Sequence, residues 1–275
     1  MIPTSGSVEG YQPGTESLSG FARLWDYRGF LGRLVVRNLQ VKFQRSFFGF
    51  FWTLLNPMLT VAILTAVFSR VVRIPIDGYW AFLLSGYFVW NFVIQTLNTG
   101  TYIVPEHARL LRSAAFPSEL LVLGAALSKM VEFCGAMLLS ILAIVIFFHQ
   151  GIPSSLVLVP FLAVLQFILV AGLMFPIATL AAFYYDVQHV LPIALTTLFY
   201  VSPVFYPAWM VPEGFRDIYM LTPIAPLLTL YQQDLYEGTF PTWAELGRFS
   251  LLSIAVFALG YWIFRRFSGV YAEVI

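Results

Sequence analysis

Lys129 and Glu132 are the residues of this sequence best placed to do chemistry in an apolar setting. They stand three apart in the run Leu120–Phe148, so on a helix they share one face. A charge at mid-bilayer costs about 2.5–3.5 kcal/mol on insertion scales, which makes intramembrane charges functional candidates. The fully apolar part of the run is Phe133–Phe148, however, and Lys129 has the stem to snorkel towards an interface. A buried proton-coupled pair is the sharper reading, but no acidic or histidine relay accompanies it. A second constellation is Pro105-Glu-His-Ala-Arg-Leu-Leu-Arg-Ser-Ala-Ala-Phe-Pro117. There Arg109 and Arg112 share a face of a short helix with Leu110 and Leu111 turned away. Such an element can dock into a groove of a soluble partner; an ordinary basic loop is the plain alternative.

Other chemistry is missing from the sequence. The lysines are Lys42 and Lys129, neither preceded by glycine, so no Gly-Lys-Ser/Thr phosphate loop exists. There is no Gly-x-Ser-x-Gly elbow and no His-Glu-x-x-His. The lone Cys134 excludes an intrachain disulfide and a cysteine-based zinc site. His107, His149 and His189 are far apart, near the ends of different apolar runs, and read as interface residues rather than a metal site. No cofactor or metal is expected on this chain. If ATP drives it, another polypeptide binds the nucleotide and its Mg.

The elements that must position these residues follow from composition. The chain has 275 residues, 59% hydrophobic and 11% charged, with mean hydropathy +0.81. Soluble domains carry about 25% charged residues, so bilayer is the natural solvent. The net charge of +1 gives no bulk attraction for nucleic acid. Residues 1–20 are rich in Ser, Gly, Thr, Glu and Pro and lack an apolar signal core, which predicts a disordered cytoplasmic leader.

A span needs about 20 mostly apolar residues. Six are predicted, near Phe50–Val72, Tyr79–Val104, Leu120–Phe148, Leu156–Phe183, Val190–Tyr206 and Leu246–Phe264, within a transmembrane domain over 46–275. The fold expected is all-α and integral to the membrane. Arg23, Arg28, Arg33, Arg37, Lys42, Arg45, Arg109, Arg112, Arg265 and Arg266 fall on one side, and Arg70, Arg73, Arg216 and Arg248 on the other. By the positive-inside rule both termini are cytoplasmic.

Residues 21–45 predict an amphipathic helix in the headgroup plane. Arg23, Asp26, Arg33, Arg37, Gln40 and Gln44 mark one stripe, and Leu24, Tyr27, Leu31, Leu34, Val35 and Leu39 the opposite face. The chain then turns directly into the first span, with Gly49 as a flexible point and Asn56-Pro57 as a kink. Around the fifth span and the outer segment 207–245 that follows it, Pro192, Pro203, Pro207 and Pro212 interrupt the chain. The run Tyr219–Tyr231 is too short to cross, which predicts short re-entrant helices there. Aromatics crowd this outer segment, as an interfacial belt or a surface for stacking sugar rings.

Four motifs together resemble the permease subunits of type-2 ABC exporters, in the branch exporting O-antigen, capsule or teichoic acid. They are Arg45-Ser-Phe-Phe-Gly-Phe-Phe-Trp-Thr-Leu-Leu-Asn-Pro57, Leu84-Ser-Gly-Tyr-Phe-Val-Trp-Asn-Phe92, Leu110-Leu-Arg-Ser-Ala-Ala-Phe-Pro117 and Ser202-Pro-Val-Phe-Tyr-Pro207. The chain departs from the family at Thr222-Pro223, where Asn-Pro is common, and at Gln232-Gln233, where an arginine is usual.

The resemblance implies a homodimer paired with two copies of an ABC ATPase, moving a lipid-linked glycan through the bacterial inner membrane. It makes Glu106, His107, Arg109 and Arg112 the ATPase-coupling residues, and Arg33, Arg37 and Arg45 part of a gate helix. Trp52, Tyr87, Trp90, Tyr200, Tyr206 and Trp209 are the candidates for the conduit or its exit. No catalytic residue is expected. Rival readings are the same architecture exporting a small hydrophobic compound or drug, and an integral membrane transferase acting on lipid-linked sugars. For the second, the available carboxylates are Glu213, Asp217, Asp234 and Glu237.

Overall fold

The computed structural model describes residues 27–44, 49, 51–108, 117–149, 151–212, 214 and 222–271. Every regular element among them is helical, as continuous apolar runs require, because in hydrocarbon a helix satisfies its own backbone polar groups. In chain order the α-helices are α1 (Arg28–Phe43), α2 (Phe51–Ala66), α3 (Tyr79–Glu106), α4 (Glu119–Ile144), α5 (Val159–Phe183), α6 (Val187–Val201), α7 (Ile224–Gln232) and α8 (Trp243–Phe267). Single π-helical turns extend α2 over Val67–Val72, α4 over Val145–His149 and α7 over Gln233–Glu237. The start of α8 is readable in the sequence Thr-x-x-Glu. Thr242 Oγ1 accepts from the Glu245 amide, and the Glu245 carboxylate accepts from the Thr242 amide, a capping box.

Five stretches are long and apolar enough to cross a bilayer: Leu54–Val72, Tyr79–Glu106, Glu119–His149, Ser154–Phe183 and Trp243–Val270. They agree within a few residues with the first four and the sixth of the expected spans. The fifth differs. α6 has 15 residues, about 22 Å at 1.5 Å per residue, against about 30 Å of hydrocarbon. Pro203 disfavours helix at the residue before it, and Ser202 is extended (φ −84°, ψ 157°).

The chain beyond α6 stays inside the protein without being helical, with Ser202, Val204 and Phe205 all buried. Its carbonyls are satisfied by side chains from elsewhere. The Tyr79 hydroxyl donates to Phe205 O (2.7 Å), the Gln232 amide to Pro203 O, and the Tyr206 hydroxyl to Val201 O (3.0 Å) and Tyr200 O (3.2 Å). Irregular backbone at this depth is tolerated where protein supplies such partners. Gln232 thus has a structural task at the place where the family usually carries arginine.

The short apolar run proves to be α7, 9 residues long. It packs against α3 and α5 with Ile224, Ala225, Leu227, Leu228, Leu230 and Tyr231 buried. α7 is therefore enclosed by protein along most of its circumference. Before it, Ala208–Met210 forms a single 3-10 turn, and residues 213 and 215–221 lie outside the described residues.

α3 is the centre of the bundle. In its most apolar window 72% of residues are buried, against 11% for α2 and 22% for α8, so α2 and α8 lie at the periphery. α2, α4, α5, α6 and α7 all contact α3, and α8 lies along α5. α5 and α8 meet backbone to backbone. A β-carbon at Gly260 would overlap the Gly172 carbonyl oxygen, and one at Gly172 would overlap the backbone of Phe257. Small residues at such crossings let membrane helices gain van der Waals contact.

At the junction into α2, Gly49 has φ +46°, a conformation glycine adopts without steric cost. The helix itself continues through Pro57 from Phe51 to Ala66. The expected leader, residues 1–20, lies outside the described residues.

Candidate functional site

Two features at the heart of the bundle bring together polar groups from distant parts of the chain. The first joins α1 to α4. Leu34 packs on Gly124, where a β-carbon would collide with the Leu34 side chain. One turn on, Asn38 Nδ2 donates to Ser128 Oγ (3.2 Å), and one turn further Lys42 Nζ meets Glu132 Oε2 (2.6 Å). All three contacts join residues 90 apart in sequence. A constant offset repeated every fourth residue means that α1 and α4 run parallel, side by side, with matched rows facing. α1 therefore lies along the first half of α4.

The faces of α1 follow the sequence pattern. Leu34 is buried and Leu31, Val35 and Leu39 are half-buried, whereas Arg33, Arg37 and Gln40 are exposed. Arg45 lies outside the described residues.

The ion pair differs from the one the local spacing suggests. Lys129 Nζ is 3.6 Å from Glu132 Oε1, but Lys42 is much closer to the other oxygen. Glu132 is thus a bridge between two lysines, and its nearer partner comes from α1. A pairing across 90 residues leaves no mark in the local sequence, whereas an i,i+3 pair does.

The second feature is a stripe on α3. Tyr87, Asn91, Gln95 and Asn98 are half-buried and Tyr102 is exposed, while the intervening residues are mostly buried. Spacings of four, four, three and four keep these side chains on one face over about 22 Å of helix. Gln95 Nε2 donates to Asn91 Oδ1 (3.1 Å), and Asn98 Oδ1 is buried without a partner. α2 and α6 both contact α3, and Tyr87 marks their approach. Its hydroxyl is beside Thr60 of α2, and its ring meets Phe199 of α6 at 6.1 Å. The stripe and the ion pair converge on a cavity of about 20 Å³ lined by Asn91, Gln95, Lys129 and Glu132, enough to hold a water. The amides of this stripe went unnoticed in the sequence because each stands alone in an apolar run. Their common helical face was the available signal.

The six aromatics expected at a conduit do not form one cluster. Trp90 is 2% exposed and stacked on Phe199 (5.5 Å, 25° between ring planes), so its ring belongs to the packed interior. Tyr87 belongs to the α3 stripe. Tyr200 is exposed and stacked on Phe205 (5.8 Å, 20°), and the hydroxyl of Tyr206 caps α6. Trp52 and Trp209 are exposed, one near the start of α2 and the other beyond α6.

Glu106, exposed, and His107, whose Nδ1 is 2.9 Å from Ile103 O, close α3. Arg109 and Arg112 lie outside the described residues. His149 Nε2 is 2.9 Å from Leu235 O, and His189 lies edge-on to Tyr185. No group of three His, Cys, Asp or Glu placed to hold a metal occurs among the described residues.

Of the carboxylates a transferase would need, Glu213 and Asp217 lie outside the described residues. Asp234 is completely buried with neither oxygen hydrogen-bonded, and Glu237 is exposed. Burial pushes the Asp234 carboxyl up to about 7, so its charged and uncharged forms are comparable near neutrality.

Residues 31–236 match the ABC-2 type transporter membrane family. The chain is 28% identical over 254 residues to the O-antigen export system permease protein RfbA of Myxococcus xanthus, covering 92% of this chain and 97% of that protein. A Klebsiella pneumoniae protein of the same name is 26% identical, covering 90% and 96%. The polysialic acid transport protein KpsM of Escherichia coli is 20% identical, covering 84% and 91%. The family match spans the bundle from α1 to the turn after α7, and the chain belongs to the ABC-2 type transporter family of multi-pass membrane proteins.

Proposed function

We propose that this chain is the permease subunit of an ATP-driven exporter that moves a lipid-linked polysaccharide of O-antigen or capsule type across the bacterial cytoplasmic membrane. Two copies form the conduit and two ATPase subunits supply the energy. Both termini and the 105–117 loop face the cytoplasm, and ATP and Mg stay on the partner. The observation that carries the substrate class is the α3 stripe. Tyrosine, asparagine and glutamine offer donors and acceptors without charge, which suits a chain of hydroxyls that must slide rather than lodge. A conduit for small hydrophobic compounds has no use for a continuous row of amides.

The test is export in a strain lacking the gene. The intact chain will restore polymer at the cell surface, and Asn91→Leu with Gln95→Leu and Asn98→Leu will reduce it at least several-fold while the protein still inserts. Normal polymer export by the triple variant would remove the stripe from the path. Efflux of small dyes, with no polymer retained inside the null strain, would favour the small-molecule reading.

The coupling assignment has its own expected result. Arg109→Glu with Arg112→Glu will weaken copurification with the ATPase by about 2 kcal/mol or more, the cost of disrupting desolvated charge contacts at an interface. Unchanged association and export would place the ATPase contact elsewhere.

A further inference from the structure

The end of the bundle where α3 begins holds a cleft of about 410 Å³, within the roughly 300–1,000 Å³ of small-ligand sites. Its walls come from three separated segments: the turn before α3, the Pro207–Trp209 stretch after α6, and the π turn after α7. We infer that this cleft is a saccharide-binding site, formed within one protomer by Asp77, Trp209, Gln232, Gln233, Tyr236 and Glu237, which holds the glycan as it leaves the conduit.

One wall is rigid. The Tyr236 hydroxyl donates to the Asp77 backbone carbonyl (2.6 Å), tying the π turn to the turn before α3. Its ring lies face to face with Phe148 (5.2 Å, 20°) and edge-on to Phe82 (5.5 Å, 84°). Phe148 in turn occupies the space over Gly78, whose φ of +60° and lack of a side chain let the ring approach. Facing this wall, Trp209 is 61% exposed on its short turn. The floor carries the amides of Gln232 and Gln233. Gln232 spends its nitrogen on Pro203 O, and Gln233 is hydrogen-bonded to Glu245. At the rim stand the exposed carboxylates of Asp77 and Glu237.

This combination matches what a sugar presents. A pyranose has an apolar C–H face that lies against aromatic rings, and Trp and Tyr bring apolar area with a polar edge. Its hydroxyls donate well to carboxylates, the stronger charge-assisted kind of hydrogen bond, and pair with amides that both donate and accept. A lipid tail would displace water from the exposed carboxylates of Asp77 and Glu237 and leave them unpaired, which is costly. A hard cation would need more oxygen ligands than two rim carboxylates set between aromatic walls.

The inference rests on the proposed export of a glycan for its purpose and direction, but binding can be measured apart from export. The permease–ATPase complex in lipid nanodiscs is probed with D-mannose, D-galactose and N-acetyl-D-glucosamine by saturation-transfer NMR. The expected result is transfer to ring protons of at least one sugar, reduced several-fold by Trp209→Ala and by Asp77→Asn with Glu237→Gln, and retained in Trp209→Tyr. The near-isosteric carboxylate variant carries the test if Trp209→Ala fails to assemble. Transfer unchanged in these variants, absent for all three sugars, or replaced by a calcium response that needs Asp77 and Glu237 would overturn the site. Failure of the intact gene to restore surface polysaccharide would instead overturn the export reading. Restored export without sugar transfer would overturn the cleft alone.

Discussion

Replacing Glu132 with alanine will release α1 from α4, and will do so more severely than replacing Lys42. Glu132 is 8% exposed and bridges Lys42 and Lys129, so its loss strands Lys129 in an apolar span with no counter-charge. Removing one member of a buried pair costs about 3–5 kcal/mol. With the Lys42 side chain 34% exposed, solvent screening brings the Lys42–Glu132 part down to about 1–2 kcal/mol. Lys42→Ala leaves Glu132 with Lys129, and only that smaller amount is lost. Cysteines at positions 38 and 128, in a chain with Cys134 replaced by serine, will form a disulfide when α1 is docked. The yield is expected to fall strongly in Glu132→Ala, modestly in Lys42→Ala, and to recover partly in the charge exchange Lys42→Glu with Glu132→Lys. Equal yields in all of these would show that Leu34 on Gly124 holds α1 without the charges.

The exporter proposal gives the bridge a mechanical reading. A helix held along one face, with Leu34 on Gly124, Asn38 on Ser128 and Lys42 on Glu132, would swing away on that reading without unfolding either partner. The same Glu132 lines the small cavity under the α3 stripe, so movement of α1 would alter the charge next to that stripe. Arg33 and Arg37, on the opposite face of α1, remain open to headgroups or to a partner.

Gly260→Leu will separate α8 from α5 and lower thermal stability more than any other substitution on α8. Its β-carbon would overlap the carbonyl oxygen of Gly172, with Pro176 also close. Backbone cannot rotate aside as a side chain can, so the helices must part along their whole contact. Overpacking costs about 1–3 kcal/mol where side chains can adjust; against backbone the upper end, about 3 kcal/mol, is expected. Gly247→Ala is the control, because a β-carbon there meets nothing within 4 Å and alanine is the better helix former by about 0.5–1 kcal/mol. Soluble protein remaining after heating in detergent, followed by size-exclusion chromatography, separates the two. Equal melting of Gly260→Leu and Gly247→Ala would mean that α8 is held by its aromatic contacts, such as Phe264 on Phe175, rather than by the glycine crossing.

Much of the architecture was legible in the order of residues because it depends on local properties. Runs of apolar side chains determined where five long spans begin and end, since hydrocarbon thickness sets their length. The leucine and arginine rows of α1 determined its inner and outer faces, and Thr242 with Glu245 the start of α8. Proline spacing announced that the chain after α6 would be irregular. Four motifs in order carry the likeness to the transporter family.

What only the tertiary structure decided depends on partners distant in the chain. Lys129 and Glu132 looked like a self-contained pair, and the closer lysine came from a helix 90 residues earlier. Gln232 looked like a lost charge, but it satisfies a carbonyl exposed by the break after α6. Trp90 looked like conduit surface and is enclosed, while Asn91 and Gln95 of α3 share a face that meets Lys129 and Glu132 of α4. Run length and periodicity are carried by neighbouring residues, so the sequence by itself determined the helices and their sides. Which side chain answers a buried charge or an open carbonyl depends on how those helices come together in space.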